Sequence, residues 1–306
     1  MDGALFIDAR RPSLTLFLQS MSASRYASFL PLLAIFGSVT FLGLGTSWAK
    51  HALFPVVGAQ GTTAIRVGLS AVFLWTLWRP WRRPVTREDL VRVLCYGVAL
   101  GGMNLFFYLS LRTIPFGVAV AIEFAGPLAV ALAASRRPTD FIWVVCAVAG
   151  LGLLLPLGHQ VSALDPTGVA CALAAALFWG LYILLGKRVG HLHAGHAVSL
   201  GMAAAALVVV PVGVLHAGSA LLSPPILLAG LGVAVLSSAI PISLEMVALK
   251  RLSPKAFGIM ISMEPAVAAC LAAIFLAEQL SGAQWLAIGL IMAASIGSAA
   301  TSSRSS

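Results

Sequence analysis

The chain is predicted to be an all-α integral membrane protein, with ten transmembrane helices arranged as two inverted five-helix repeats. Three observations predict this. The residues are 60% hydrophobic and only 9% charged, with a mean hydropathy of +0.99, whereas a soluble domain is roughly 25% charged. The apolar residues gather into ten runs of helical length. Landmark residues then recur in the same order in the two halves.

The runs lie at about 30–49, 62–78, 91–111, 116–134, 141–158, 167–186, 197–215, 225–248, 256–276 and 283–301. A helix crosses the hydrocarbon core with roughly 20 residues. Strands of a membrane barrel would be about ten residues long and alternate polar with apolar, and these runs do not.

Basic clusters punctuate the runs and set the topology. Arg82-Arg83 follows the second run, Arg136-Arg137 the fourth, Lys187-Arg188 the sixth, and Lys250-Arg251 with Lys255 the eighth. All follow even-numbered helices, so they share one face with the basic amino-terminal segment and Arg304. Of the 19 Lys and Arg residues, only Lys50, Arg66 and Arg112 fall elsewhere. By the positive-inside rule both termini are predicted cytoplasmic. The formal net charge of +9 is thus a topology signal rather than a nucleic-acid footprint, and no nucleic-acid partner is expected.

Residues 1–28 read as a cytoplasmic amino-terminal extension with room for a short surface helix. Arg10-Arg11 resembles a twin-arginine signal, but no small-residue cleavage site follows the first long apolar run. Met21 is an alternative start. Cys95, Cys146, Cys171 and Cys270 are scattered within apolar runs. They lack metal-ligand or disulfide spacing and read as small buried hydrophobes.

The halves, 29–158 and 165–301, echo each other. Gly43 precedes Lys50 by the interval that separates Gly180 from Lys187. Gly117 and Glu123 in the fourth helix match Gly258 and Glu264 in the ninth, and a proline, Pro127 or Pro265, follows each glutamate. A five-helix unit repeated in tandem must enter the membrane in opposite senses, the plan of many secondary transporters.

Ionisable groups at bilayer depth are expensive and mark functional sites by default. Glu123 and Glu264, near the middles of the fourth and ninth helices, are the first candidates. Burial favours the neutral form of a carboxyl, so each is a candidate proton carrier as well as a partner for a cation. The bland alternative is a structural glutamate paired with Arg66 or a helix backbone. Pro127, Pro241 and Pro265 lack a backbone donor and free the carbonyls of Glu123, Ser237 and Ile261, as kinks or as ligand contacts.

Gly97, Gly101, Asn104 and Tyr108 share one face of the third helix. The glycines suit close helix contact, and Asn104 and Tyr108 add polar atoms for a substrate or a neighbouring helix. Arg66 is a candidate for a substrate carboxylate, with Glu123 or a loop carbonyl as its alternative partner. Glu245 lies on one side of the eighth helix with Ser238 and Pro241, or simply pairs with Lys250. Lys50 reads as a snorkelling residue. Trp48 and Trp179 belong to an interfacial belt or line the cavity. His191, His193 and His196 are spaced H-x-H-x-x-H, but with no acids or cysteines nearby no metal site is expected. No cofactor motif, phosphate-binding loop or zinc-protease signature occurs, and the chain is expected not to be an enzyme.

Several longer stretches carry a family resemblance: AKHALFPVVGAQGTTAIR (49–66), YGVALGGMNLFFYLSL (96–111), VAVAIEFAGPLAVAL (118–132), LSSAIPISLEMVALKRL (236–252) and GIMISMEPAVAA (258–269). The chain resembles the drug/metabolite transporter superfamily in its two-repeat EamA-type branch. Within that branch it is similar to the threonine and homoserine exporters of the inner membrane. The resemblance implies ten helices, cytoplasmic termini, and efflux of small amino acids driven by an ion gradient; the buried glutamates make protons the expected coupling ion, and a monomer or homodimer is the expected assembly. A different cargo, such as a cationic drug or another metabolite, stays open, as does a membrane enzyme or scaffold. Residues 1–28 are longer and more basic than the resemblance implies.

Overall fold

The computed structural model of the chain describes residues 14–82, 84–134, 140–154, 164–189, 191–241, 244, 248 and 260–302, with backbone only for 14–29. All regular structure among them is helical. Its α-helices are α1 (Leu14–Ala52), α2 (Phe54–Trp78), α3 (Arg87–Ser110), α4 (Phe116–Glu123), α5 (Ala125–Ala134), α6 (Asp140–Leu154), α7 (Pro166–Val189), α8 (Ala194–Ala217), α9 (Pro224–Ala234), α10 (Glu264–Phe275) and α11 (Gly282–Ser302). A π-turn, Val235–Ala239, extends α9. Among the described residues, five helical stretches are long and apolar enough to cross a bilayer, and five shorter apolar ones accompany them. Phe141, Leu207, Leu215 and Leu228 lie exposed on the outside, where lipid rather than water is the compatible surround. The chain is a multi-pass membrane protein.

Four elements differ from the apolar runs. Helix α1 is continuous from Leu14, so the second half of the predicted extension is one helix with the first span rather than a separate surface helix. Helix α2 begins at Phe54 and bends at Gly58, whose φ of 65° suits glycine because an L side chain is strained there. The predicted fourth helix is broken at Phe124 into α4 and α5, so Glu123 ends one segment. Likewise Glu264 opens α10 after a turn at Ser262-Met263, with Pro265 in its first turn, a position proline tolerates.

Local signals fix several ends. The Thr86 hydroxyl accepts from the Asp89 N–H at 3.1 Å, and Glu88 and Asp89 place negative charge at the first turn of α3, where the helix dipole favours it. Asp165 accepts from the Gly168 N–H at 3.0 Å at the start of α7. The Thr113 hydroxyl and that N–H hold its carboxyl below the usual carboxylate range.

The most extensive packing joins α2 to α8, α3 to α7, α6 to α11 and α3 to α8. Helix α4 lies on α10 and α7, α5 on α7, and α1 on α10, α9 and the π-turn. Small residues permit these approaches. A methyl group at Gly126 would stand only 2.0 Å from the Ala176 carbonyl oxygen of α7.

Contacts across the bundle define its two ends. At one end Asp89 meets His191 at 2.9 Å and the Trp78 ring lies tilted against His193. At the other, Lys50 meets Glu278 at 2.5 Å, and a methyl group at Gly168 would touch Thr113 and Ile114. The largest buried cluster holds Leu53, Val57, Tyr108, Leu111, Ile114 and Phe116, all at most 2% exposed, and these flank the helix ends near Lys50.

Candidate functional site

A cavity of about 510 Å³ lies inside the bundle, walled by α1, α2, α3, α4, α5, α7, α10 and α11. Its walls are mostly apolar and aromatic, including Phe107, Phe116, Phe124 and Trp179, with a few polar groups: Thr46, Arg66, Asn104, Glu123, Tyr182, Glu264 and Ser295. This size and composition, an apolar pocket with sparse convergent polar groups, are those of a small-molecule site.

Both glutamates reach the cavity from breaks in their helices, Glu123 at the end of α4 and Glu264 at the start of α10. Glu123 is 7% exposed. Interrupted helices leave backbone groups without intrahelical partners, and such groups at membrane depth are tolerated beside a cavity. Pro127 lines the same wall.

Arg66 is the cation of the site. Its Nε donates to Ser237 Oγ at 2.7 Å, a terminal nitrogen donates to the Ser237 carbonyl at 3.1 Å, and the other donates to Asn104 Oδ1. Arg66 forms no ion pair among the described residues. The Ser237 carbonyl is available because Pro241, four residues on, has no N–H to give it. Backbone geometry thus creates the acceptor that orients the guanidinium. Asn104 is fixed in turn by donating from Nδ2 to the Leu100 carbonyl at 2.8 Å. Tyr108 lies behind this group, fully buried, with its ring centroid 5.5 Å from the Arg66 guanidinium carbon and its hydroxyl without a hydrogen-bond partner among the described residues. A cation over an aromatic face is attractive, the more so when desolvated.

The sequence candidates therefore divide. Arg66, Asn104, Glu123, Glu264, Trp179 and Pro127 converge on the cavity wall. Tyr108 and Pro241 stand one layer behind, supporting Arg66 through its face and through the Ser237 carbonyl. Pro265 shapes the start of α10. Trp48 is 40% exposed and packs on Gly232 of α9, away from the cavity lining. Glu245 lies outside the described residues, as do Arg136, Arg137, Lys250 and Gly258. Gly97 and Gly101 abut Ala204 and Ala205 of α8.

Other groups escaped the sequence. Ser237 is read there only as a carbonyl, and its hydroxyl also holds Arg66. Tyr182, Thr46 and Ser295 carry no signal in an apolar run, although Ser295 shares a 2.7 Å hydroxyl–hydroxyl bond with Ser262. Glu278 sits in a loop, where a carboxylate draws no notice. The histidines do other work: His191 pairs with Asp89, and His193 accepts from the Gly195 N–H at 3.3 Å to cap α8.

The chain is similar to threonine/homoserine exporter RhtA of Escherichia coli (strain K12), with 51% identity over 273 residues, 89% of this chain and 92% of the relative. The protein of the same name from Salmonella typhimurium (strain SL1344) is 50% identical over 280 residues, covering 92% of this chain and 95% of that one. A protein of known crystal structure shares the fold with a TM-score of 0.54 at 21% identity, over 92% of this chain and 97% of that one. Residues 166–299 match the model of the EamA-like transporter family. The named relatives are transporters, which sets the membrane-enzyme reading aside. Relatives half identical along nearly the whole length, together with this match, make the chain a member of the EamA-like transporter family.

Proposed function

We propose that this protein exports small hydroxy amino acids of the threonine and homoserine kind across the cytoplasmic membrane, by proton-coupled exchange and alternating access. The observation that carries the reading is the convergence of one oriented arginine and two carboxylates on one cavity. A zwitterion needs both. Its carboxylate meets the remaining Arg66 N–H donors beside Asn104, in the planar geometry guanidinium groups favour. Its ammonium meets Glu123 and Glu264, and one of these carboxyls carries the coupled proton. Thr46 and Ser295 offer hydroxyls for the side chain. The names of the two exporters described above fit this cargo. A purely cationic drug suits the carboxylates and aromatic walls but leaves Arg66 opposing it.

Alternating access asks for two inverted five-helix repeats, and the packing supports that reading. Counterpart helices meet one another: α2 with α8, α4 with α10, and α6 with α11. Other contacts come in exchanged pairs. Helix α3 on α7 is mirrored by α1 on α9 and the π-turn, and α4 and α5 on α7 by α1 on α10. Both glutamates fall at the breaks of counterpart helices. The basic clusters put both termini in the cytoplasm. The test is efflux of labelled threonine and homoserine from cells with and without the protein. Equal efflux in the two would remove the cargo, and competition by an organic cation alone would replace it.

A further inference from the structure

We propose that Lys50, Glu278 and the first turn of α4 form the gate that closes the cavity on the side away from the basic clusters. The proposal rests on the transport reading only for which side that is.

Glu278 follows α10 and belongs to the second half of the chain. Its Oε1 accepts from Lys50 Nζ at 2.5 Å, and its Oε2 accepts from the Phe116 N–H at 2.7 Å. One carboxylate therefore ties the end of α1 and the start of α4, both in the first half, to the second half. The partners are mostly withdrawn from solvent, at 21% and 14% side-chain exposure. Screening that empties an exposed pair of value is weaker for such a pair. The carboxylate also faces the positive end of a helix with free N–H groups.

What it ties down is the roof of the cavity. Phe116 carries the bonded N–H, and its own ring lines the cavity while packing edge-on against Phe107 at 6.2 Å. Leu53, Leu111 and Ile114, each at most 2% exposed, fill the same cluster. Helix α4 ends at Glu123, so the residue anchored by Glu278 and the residue that meets the cargo are the two ends of one eight-residue segment. Releasing the carboxylate frees that segment to move with the cargo's cation site.

In sequence, the matching positions of the other half carry a different pair of residues. Glu278 follows Glu264 by fourteen residues, and the residue fourteen after Glu123 is Arg137. The counterpart of Lys50 is Lys187. Two cations do not attract as a cation and a carboxylate do, so the sequence does not repeat this pair at the matching positions.

The experiment reads access to the cavity rather than export. Thr46, on the cavity wall, is replaced by cysteine in a chain whose four native cysteines are alanine. Intact cells are treated with a membrane-impermeant maleimide, and folding is checked by gel filtration. Lys50→Gln and Glu278→Gln are each expected to raise the labelling rate at least about fivefold. Lys50→Gln leaves the Glu278–Phe116 bond in place, so it serves should Glu278→Gln not fold. Glu88→Gln, which removes the exposed Arg92 pair at the opposite end, is expected to leave labelling unchanged. No rise in the folded gate variants, or rapid labelling before any of them is introduced, overturns the gate. A chain that fails to export threonine yet shows the accessibility pattern removes the cargo and keeps the gate.

Discussion

Replacing Arg66 with lysine tests the site at its most constrained point. Lysine keeps the positive charge but is a point donor on a flexible stem, without the fork that reaches two partners at once. In the native chain three bonds hold the guanidinium, two to Ser237 and one to Asn104. An ammonium in the same space satisfies some of these and loses the planar face offered to a carboxylate. It also strands the Ser237 carbonyl, which Pro241 cannot serve. A hydrogen bond involving a charged group contributes about 1.5–3 kcal/mol, and losing one at the substrate corresponds to roughly a 10- to 100-fold weaker half-saturation. The assay is threonine uptake into proteoliposomes under a fixed gradient, with 1-amino-2-propanol as the competitor that lacks a carboxylate. Threonine affinity is expected to fall by that factor while competition by the amino alcohol holds. A change in threonine affinity below about twofold, with the protein folded, would refute the assignment of Arg66 to the carboxylate.

Three further outcomes follow from the same geometry. Glu123→Gln and Glu264→Gln should each abolish pH-driven exchange in vesicles, and normal coupling in both would remove carboxyl protonation from the mechanism. Ser295→Ala should raise the half-saturation for threonine about tenfold, the order expected when a hydroxyl partner is lost, and leave 2-aminobutyrate, its analogue without the hydroxyl, unchanged. Asp165 has a folded-state carboxyl held below its ordinary range by Thr113 and the Gly168 N–H. Its contribution is complete above the unfolded value and is lost as pH falls through the folded one. Asp165→Asn should therefore flatten the acid limb of a thermal-stability profile in detergent, and an unaltered limb would contradict that sign.

Much of this architecture is legible in the residues because a bilayer punishes exceptions. Glu123, Glu264 and Arg66 stand out by their cost in an apolar run, and all three reach the cavity. Pro241 gives away the Ser237 carbonyl by the donor it lacks. The rest is hidden for physical reasons. A run such as 116–134 is equally apolar through the break at Phe124, so hydropathy reads one helix where there are two. The start of α2 is concealed by Pro55 and Gly58, which look like a loop yet fall in a bent helix. Glu278 and Lys50 are separated by 228 positions, and neither is costly near an aqueous face, so nothing local announces the pair. Trp48 looks the same in sequence whether it packs on Gly232 or lines a cavity.

The π-turn at Val235–Ala239 has a consequence for how this chain tolerates change in length. An α-helix turns about 100° per residue, and a π-turn absorbs one additional residue without breaking the rod. Deleting a single amino acid there would straighten the segment into a regular coil and swing everything beyond it about a quarter-turn. Leu244 and Ala248, which pack with Ala34, Ile35 and Val39 of α1, would then point toward a different neighbour, although neither amino acid is altered. That short stretch behaves as a register key, and its length carries as much information as its composition.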